Sequence, residues 1–284
     1  MDRKLEDVPL VRIPLTLESD IMRTIEHYTV GFLRIKKGLR GDDLILLGSG
    51  TLVTVNGIHA ILTAHHVLHE LPKSGKLGLV YSARRTHLTI AVDGLQYLKI
   101  ARGTVDADGP DLGAVILSAP VVSILKATKS FHNLDRNRME LLARPPVLNR
   151  GVWVVQGFIG ERTKEHLYFE RRVKRITFHE LCSSGIVVPY TKCSYDYFKF
   201  PIEYAKHRSI PKDYGGASGG GLWQVPLEKR RSGGQITPAS VPILSGVTFY
   251  QEPTKSWRTA LRCHGRRSVY EVAYDAISQT SGAR

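Results

Sequence analysis

Apolar residues in this chain fall in short runs of four to eight, separated by Gly, Asn and Asp, and helical spacing is confined to the two ends. From Tyr28 onward the runs 28–35, 44–47, 51–55, 58–62, 77–81, 88–92, 97–101 and 114–117 follow one another. Runs of that length bounded by turn-forming residues predict β-strands. Asn56-Gly57 lies between two of them and predicts a two-residue hairpin, because both residues tolerate positive φ. A second series begins at Gly151 and predicts strands at 152–158, 166–169, 173–178, 185–188, 195–200, 221–224 and 243–249. Many short strands at even spacing predict an all-β protein of sandwich or barrel type.

The ends differ. Positions 17–27 are spaced for a short helix beginning near Ser19, and Val269, Val272, Ala273, Ala276 and Ile277 share one helical face. The stretch 119–150 is polar, basic and carries Pro145-Pro146, so it reads as a linker with one helical turn. The expected organisation is an N-terminal segment (1–27), a first β unit (28–120), a linker (121–150), a second β unit (151–262) and a C-terminal helix and tail (263–284).

Composition narrows the class. The chain has 284 residues, 42% of them hydrophobic, enough for one large domain or two ordinary ones. No apolar run reaches the roughly 18 residues of a membrane span. The charged stretch Met1 to Asp7 does not read as a secretory signal. Cys182, Cys193 and Cys263 form no metal-spaced pair and no disulfide framework. No metal or cofactor is expected, and the location that fits is the cytoplasm. Net charge is +14, with basic clusters at Arg136/Arg138, Arg171/Arg172/Lys174/Arg175, Lys229/Arg230/Arg231 and Arg262/Arg266/Arg267. Such an excess suits an acidic regulatory partner or nucleic acid, with salt-sensitive binding. It also suits a solvated surface or loop tips, since no aromatic residues interleave with the basic ones to stack bases.

Three runs carry chemistry. Ser218 sits among five glycines in Gly215-Gly216-Ala217-Ser218-Gly219-Gly220-Gly221. Glycines permit positive φ and close approach of a substrate, and the amides of Gly216 and Ser218 could point at one spot. A flexible turn is the alternative. A phosphate loop is not, because no Gly-Lys-Ser/Thr follows. His66 lies just beyond an apolar run, where a strand end would hold a base, with His65 and His69 as competitors. Asp111 opens the apolar stretch Leu112 to Leu117, and a buried carboxylate there needs a donor such as an imidazole N–H. A plain turn at Asp108-Gly109-Pro110-Asp111 is its alternative. The order His, Asp, Ser is one of those in which a Ser-His-Asp triad occurs.

The runs Thr63-Ala64-His65-His66-Val67, Asp111-Leu112-Gly113-Ala114-Val115 and Gly216-Ala217-Ser218-Gly219-Gly220 resemble the three motifs of trypsin-like (chymotrypsin-fold) serine peptidases. The resemblance covers about residues 28 to 250. It implies two six-stranded antiparallel β-barrels packed around a central cleft, and a protein substrate. It implies His66 as general base, Asp111 as its orienter, Ser218 as nucleophile, and the Gly216 and Ser218 amides as oxyanion hole. Thr248, Phe249 and Tyr250 fall on the strand that lines the substrate cleft. Lys212, six residues before the serine, and Asp213 beside it fall at the specificity pocket, one favouring acidic side chains and the other basic ones. Digestive members carry an aspartate before the nucleophile that pairs with a newly cut N-terminus. Here that residue is Ala217, which implies a member of intracellular bacterial type, activated in some other way. A catalytically silent fold that binds an acidic partner is the alternative function.

Overall fold

The computed structural model describes residues 15–38, 41–81, 87–168, 173–204, 210–229 and 236–280. The protein is mostly β, built on two large antiparallel sheets with a short C-terminal helix. The first sheet holds β1 (Thr29–Gly38), β2 (Gly41–Val55), β3 (Ile58–Thr63), β4 (Lys76–Val80), β5 (His87–Ala91), β6 (Gln96–Arg102), β7 (Asp111–Ile116) and β8 (His132–Asn133). Its order is β5-β4-β1-β2-β3-β7-β6, with β8 pairing parallel to β2. The second sheet holds β9 (Val152–Tyr168), β10 (Val173–Gly185), β11 (Val188–Lys192), β12 (Tyr195–Glu203), β13 (Gly221–Val225), β16 (Ile243–Gln251) and β17 (Arg258–His264). Its order is β10-β9-β13-β16-β17-β12-β11. A small ribbon, β14 (Leu227–Lys229) with β15 (Ile236–Pro238), lies between β13 and β16 in the chain. Each large order is an open path of seven strands, with β8 as an eighth strand beside β2 in the first sheet, a coarser statement than two closed six-stranded barrels.

The Asn56-Gly57 hairpin forms, with φ of +47° and +80° and Val55 opposite Ile58. Several expected boundaries shift. Positions 44–47 and 51–55 belong to one strand, β2, because Gly48-Ser49-Gly50 keeps the ladder to β1 through a bulge. The expected linker holds two helices, α3 (Ala119–Lys126) and α4 (Arg138–Ala143), following α1 (Leu15–Glu26) and α2 (His65–Glu70). β17 is absent from the expected strands. Its residues, Arg-Thr-Ala-Leu-Arg-Cys-His, mask a buried strand behind a polar composition.

One core cluster joins the two halves. Leu17, Ile21 and Ile25 recur every four residues along α1 and are buried. They pack in the same cluster as Val53 and Leu62 of the first sheet, Trp223 and Val247 of the second, and Val269, Tyr270 and Ile277 near the C-terminus. Trp223 is fully buried, stacks on Tyr28 at 5.2 Å and meets the edge of His132 at 5.1 Å. The C-terminal segment completes this seam through Ser268–Ala273, wound more widely than an α-helix, and α5 (Tyr274–Ser278).

Arg266 fastens the linker to the second sheet. Its guanidinium is buried, donates to Ser245 Oγ (3.1 Å), to the Pro146 carbonyl (3.3 Å) and to Gln224 Oε1, and lies 5.4 Å over the Trp153 ring. Burial pushes its pKa down to about 10, with Tyr270 and Asp196 offsetting part of the shift. Arg266→Ala leaves those acceptors unpaired and should cost about 3 kcal/mol in urea denaturation. Arg267 is exposed and pairs with Glu271 one turn on. Arg267→Ala should cost less than about 0.5 kcal/mol. Equal costs would contradict this division of roles. Arg266 is thus buried and Arg262 pairs with Glu252 at 2.7 Å, so these two members of the basic cluster are not free surface charge.

Candidate active site

β3 carries the chain to Thr63, Ala64 remains extended, and α2 begins at His65. Val67 and Leu68 are buried and pin this single short helix to the first sheet, which fixes His66 beside the start of β7. Asp111, the first residue of β7, is only 2% exposed. Its Oδ2 lies 2.5 Å from His66 Nδ1, and its Oδ1 accepts the His66 amide at 2.9 Å. A carboxylate can only accept, so this contact keeps a proton on Nδ1 and leaves Nε2 as the free acceptor. The His66 side chain is 37% exposed, so that acceptor is reachable. Burial alone would raise the Asp111 carboxyl, but the hydrogen bonds and charge of His66 outweigh it and hold the group below its ordinary value.

The competing histidines have other partners. His65 Nδ1 faces the Arg102 guanidinium at 3.4 Å, and burial followed by Arg102 lowers its pKa. His69 is exposed and lies 3.8 Å from Glu70.

Ser218 occupies a turn between two glycines with positive φ, Gly216 at +95° and Gly219 at +91°. A Cβ at Gly219 would sit 1.9 Å from the Ser49 carbonyl oxygen, so only glycine fits there. The turn is gripped from both sheets. Ser49 of β2 donates its amide to the Ser218 carbonyl (2.8 Å) and its hydroxyl to the Gly216 carbonyl (2.6 Å). The Ser49 hydroxyl also accepts the Phe158 amide at 2.8 Å, and Thr63 Oγ1 donates to the Ser49 carbonyl at 2.7 Å. From β16, the Thr248 carbonyl accepts the Gly219 amide at 2.7 Å. The Ala217 amide is used by the Tyr214 carbonyl (2.9 Å), whereas the Gly216 and Ser218 amides make no internal hydrogen bond among the described residues. Gly48 borders both parts of the site, since a Cβ there would meet the Val67 side chain at 2.6 Å and the Ser218 carbonyl at 3.2 Å. The Ser218 hydroxyl donates to the Phe249 carbonyl at 3.3 Å, and no hydrogen bond joins Ser218 to His66 among the described residues.

Two of the three residues expected on the cleft strand have buried side chains. The Thr248 and Phe249 side chains are buried, Thr248 against Cys263 Sγ (3.3 Å) and Phe249 against the His264 ring (4.9 Å). They point into the core because a bulge interrupts the alternation of β16 between Thr248 and Tyr250. Tyr250 is half-buried, with the Arg262 guanidinium 5.8 Å over its ring. Lys212 and Asp213 are exposed. Glu161 Oε2 accepts both of their amides (2.8 and 2.6 Å), and the Asp213 carboxylate turns back to accept the Gly215 amide at 2.7 Å. Ser49, Glu161 and His264 support the site without having been read from the sequence, and Thr63, quoted only as part of the histidine motif, holds the Ser49 carbonyl. Only the small-residue run Gly48-Ser49-Gly50 carried a signal.

Cys193 is exposed and Cys263 buried, both as free thiols. Among the described residues no group of three His, Cys, Asp or Glu could hold a metal, and no helix is long and apolar enough to cross a membrane. Arg171, Arg172, Arg230 and Arg231, with the side chains of Lys174, Arg175 and Lys229, lie outside the described residues, and so do those two basic-patch expectations.

Two buried histidines should make the fold sensitive to acid. Burial pushes His132 and His264 each down to about 4. Below the ordinary value of about 6.5 the unfolded chain binds protons that the folded chain refuses until about pH 4. Stability should therefore fall as pH drops from about 6.5 to 4, by on the order of 1–2 kcal/mol per histidine at pH 5. Urea midpoints at pH 7 and 5 test this, and His132→Gln should flatten the dependence. An unchanged midpoint would contradict it.

Comparison with known proteins supplies no family: no protein-family model matches the chain, and no curated protein matches it significantly.

Proposed function

We propose that this chain is a serine endopeptidase of trypsin-like type, its two sheets forming paired barrels with the substrate cleft along their seam. The observation that carries the reading is the short His66 Nδ1–Asp111 Oδ2 contact of 2.5 Å beside a serine turn whose Gly216 and Ser218 amides have no hydrogen-bond partner among the described residues. In the proposed reaction a peptide carbonyl binds against those two amides. The Ser218 hydroxyl rotates from the Phe249 carbonyl toward His66 Nε2 and attacks as Nε2 takes its proton. Asp111 stabilises the imidazolium that results. Donors aimed at the developing oxyanion are each worth roughly 10²–10³ in rate. The tetrahedral intermediate collapses as His66 returns the proton to the leaving amine, and water repeats the sequence on the acyl-enzyme. Catalytic hydrogen bonds in unliganded sites are often open, so the hydroxyl's present partner is compatible with this role.

A silent binding module is the second reading. It is favoured by the bond from Ser218 Oγ to Phe249 rather than to His66. Pre-steady-state kinetics with a p-nitrophenyl ester separates the two. The peptidase reading predicts a burst of about one equivalent of nitrophenol per chain, followed by slower turnover. No burst and no turnover would support the binding module.

A further inference from the structure

Asp111 is held from three directions, and one of them comes from the other sheet. Its carboxylate takes the ring and the amide of His66. Its own amide donates to His264 Nε2 at 3.0 Å, and His264 is the last residue of β17. The His264 ring is fully buried and packs against Phe249 (4.9 Å), Tyr197 (5.3 Å) and Tyr195 (6.3 Å). Phe249 is also the residue whose carbonyl receives the Ser218 hydroxyl. One buried imidazole therefore touches the backbone of Asp111 and the neighbour of Ser218.

A histidine is an expensive way to fill this space. Its Nδ1 is buried with no hydrogen-bond partner among the described residues, a cost that an apolar ring would avoid. What the imidazole supplies, and phenylalanine does not, is an acceptor for the Asp111 N–H. Accepting at Nε2 requires the neutral form with its proton on Nδ1. The titratable groups packed around it are Asp111 of β7 and Tyr195, Asp196 and Tyr197 of β12, with His66 of α2 beyond Asp111. Burial holds the ring neutral, and Asp111, through its charge and its backbone, together with the charge of Asp196 offsets this only in part.

β17 grips the same loop a second time. Arg262, two residues before His264 and on the same face of the strand, donates to the Ala107 carbonyl and pairs with Asp108 at 3.6 Å and with Glu252 at 2.7 Å. Both ends of the segment from Ala107 to Asp111 are thus fixed by the second sheet.

We propose that His264 is a positioning residue for the catalytic base: it fixes the Asp111 backbone from the opposite sheet, so that the Asp111 carboxylate holds His66 in register with Ser218. This rests on the peptidase reading of the site. Docking of the two halves then assembles the base as well as the cleft.

The test compares His264→Gln, His264→Asn and His264→Phe in the full chain. Glutamine can place its Oε1 near the Nε2 position. Asparagine is too short to do so, and phenylalanine has no acceptor. The expected result is a kcat within about threefold of wild type for glutamine. Asparagine and phenylalanine should each lose about 10- to 100-fold in kcat with KM changed less than about twofold, and should shift the acid limb of the kcat/KM profile. The low-field proton resonance of His66 Nδ1–H reads the same effect without catalysis. It should persist in the glutamine variant and move or vanish in the other two. Glutamine and asparagine variants that behave alike in kcat, pH profile and resonance would overturn the proposal, including when the phenylalanine variant fails to fold. An inactive wild type whose resonance still separates the variants would sink the peptidase reading and leave the positioning role standing.

Discussion

Ser218→Ala should lower kcat for peptide hydrolysis by at least about 10⁴-fold, and His66→Ala should do nearly the same. Neither half of the pair works alone. A serine hydroxyl is a weak nucleophile at its own pKa, and Nε2 has no proton to take without it. Ser218→Ala removes one oxygen from a turn whose backbone is held by Ser49 and Thr248, so the fold should survive. The double variant should be little worse than either single one, because the residues act as a unit. His65→Ala should stay within about fivefold of wild type, since His65 faces Arg102 rather than Asp111. Steady-state kinetics on a fluorogenic peptide, with circular dichroism to verify folding, checks all four. Loss in His65→Ala with full activity in His66→Ala would exchange the two histidines.

Asp111→Asn should cost about 10³- to 10⁴-fold in kcat with little change in KM. The substitution keeps shape and removes charge. In the wild type both carboxylate oxygens accept, one from the His66 ring and one from its amide. An asparagine can still accept the amide N–H through its oxygen, which turns its NH₂ toward Nδ1. Nδ1 must then accept, its proton moves to Nε2, and Nε2 can no longer receive a proton from Ser218. The loss should appear in kcat because the imidazolium forms only during reaction. Asp108→Asn is a control three residues away. Asp108 pairs with Lys192 (2.7 Å) and Arg262 at the surface, and Arg262 still holds the same loop through the Ala107 carbonyl without it, so its loss should change kcat less than about tenfold. A wild-type kcat in Asp111→Asn would show that the short contact with His66 has no catalytic role.

Strand alternation and turn chemistry made most of the fold legible. The Asn56-Gly57 turn, the strands on either side of it and the two terminal helices follow from local physics that tertiary contacts reinforce. The candidate site was legible where residue type and chemistry coincide: a carboxylate opening an apolar strand, a histidine at a strand end, a serine among glycines. What escaped depends on contacts distant in sequence. β17 reads as polar, yet Arg262 and His264 are satisfied by Ala107 and Asp111, more than 150 residues away, and Thr259 by the nearby Glu252 carbonyl. Ser49 resembles a break between two strands until its hydroxyl is seen bridging Phe158 and Gly216, more than 100 residues away. The inward turn of Thr248 and Phe249 depends on a bulge that no local pattern announces.

The central claim is that Ser218 is an activated nucleophile, and covalent labelling with a fluorophosphonate probe tests it most directly. Intact-mass analysis of the full chain should show one adduct, and peptide mapping should place it on Ser218. Labelling should slow by orders of magnitude in His66→Ala and disappear in Ser218→Ala. A folded wild-type protein that takes no label, or takes it equally in Ser218→Ala, would contradict the account.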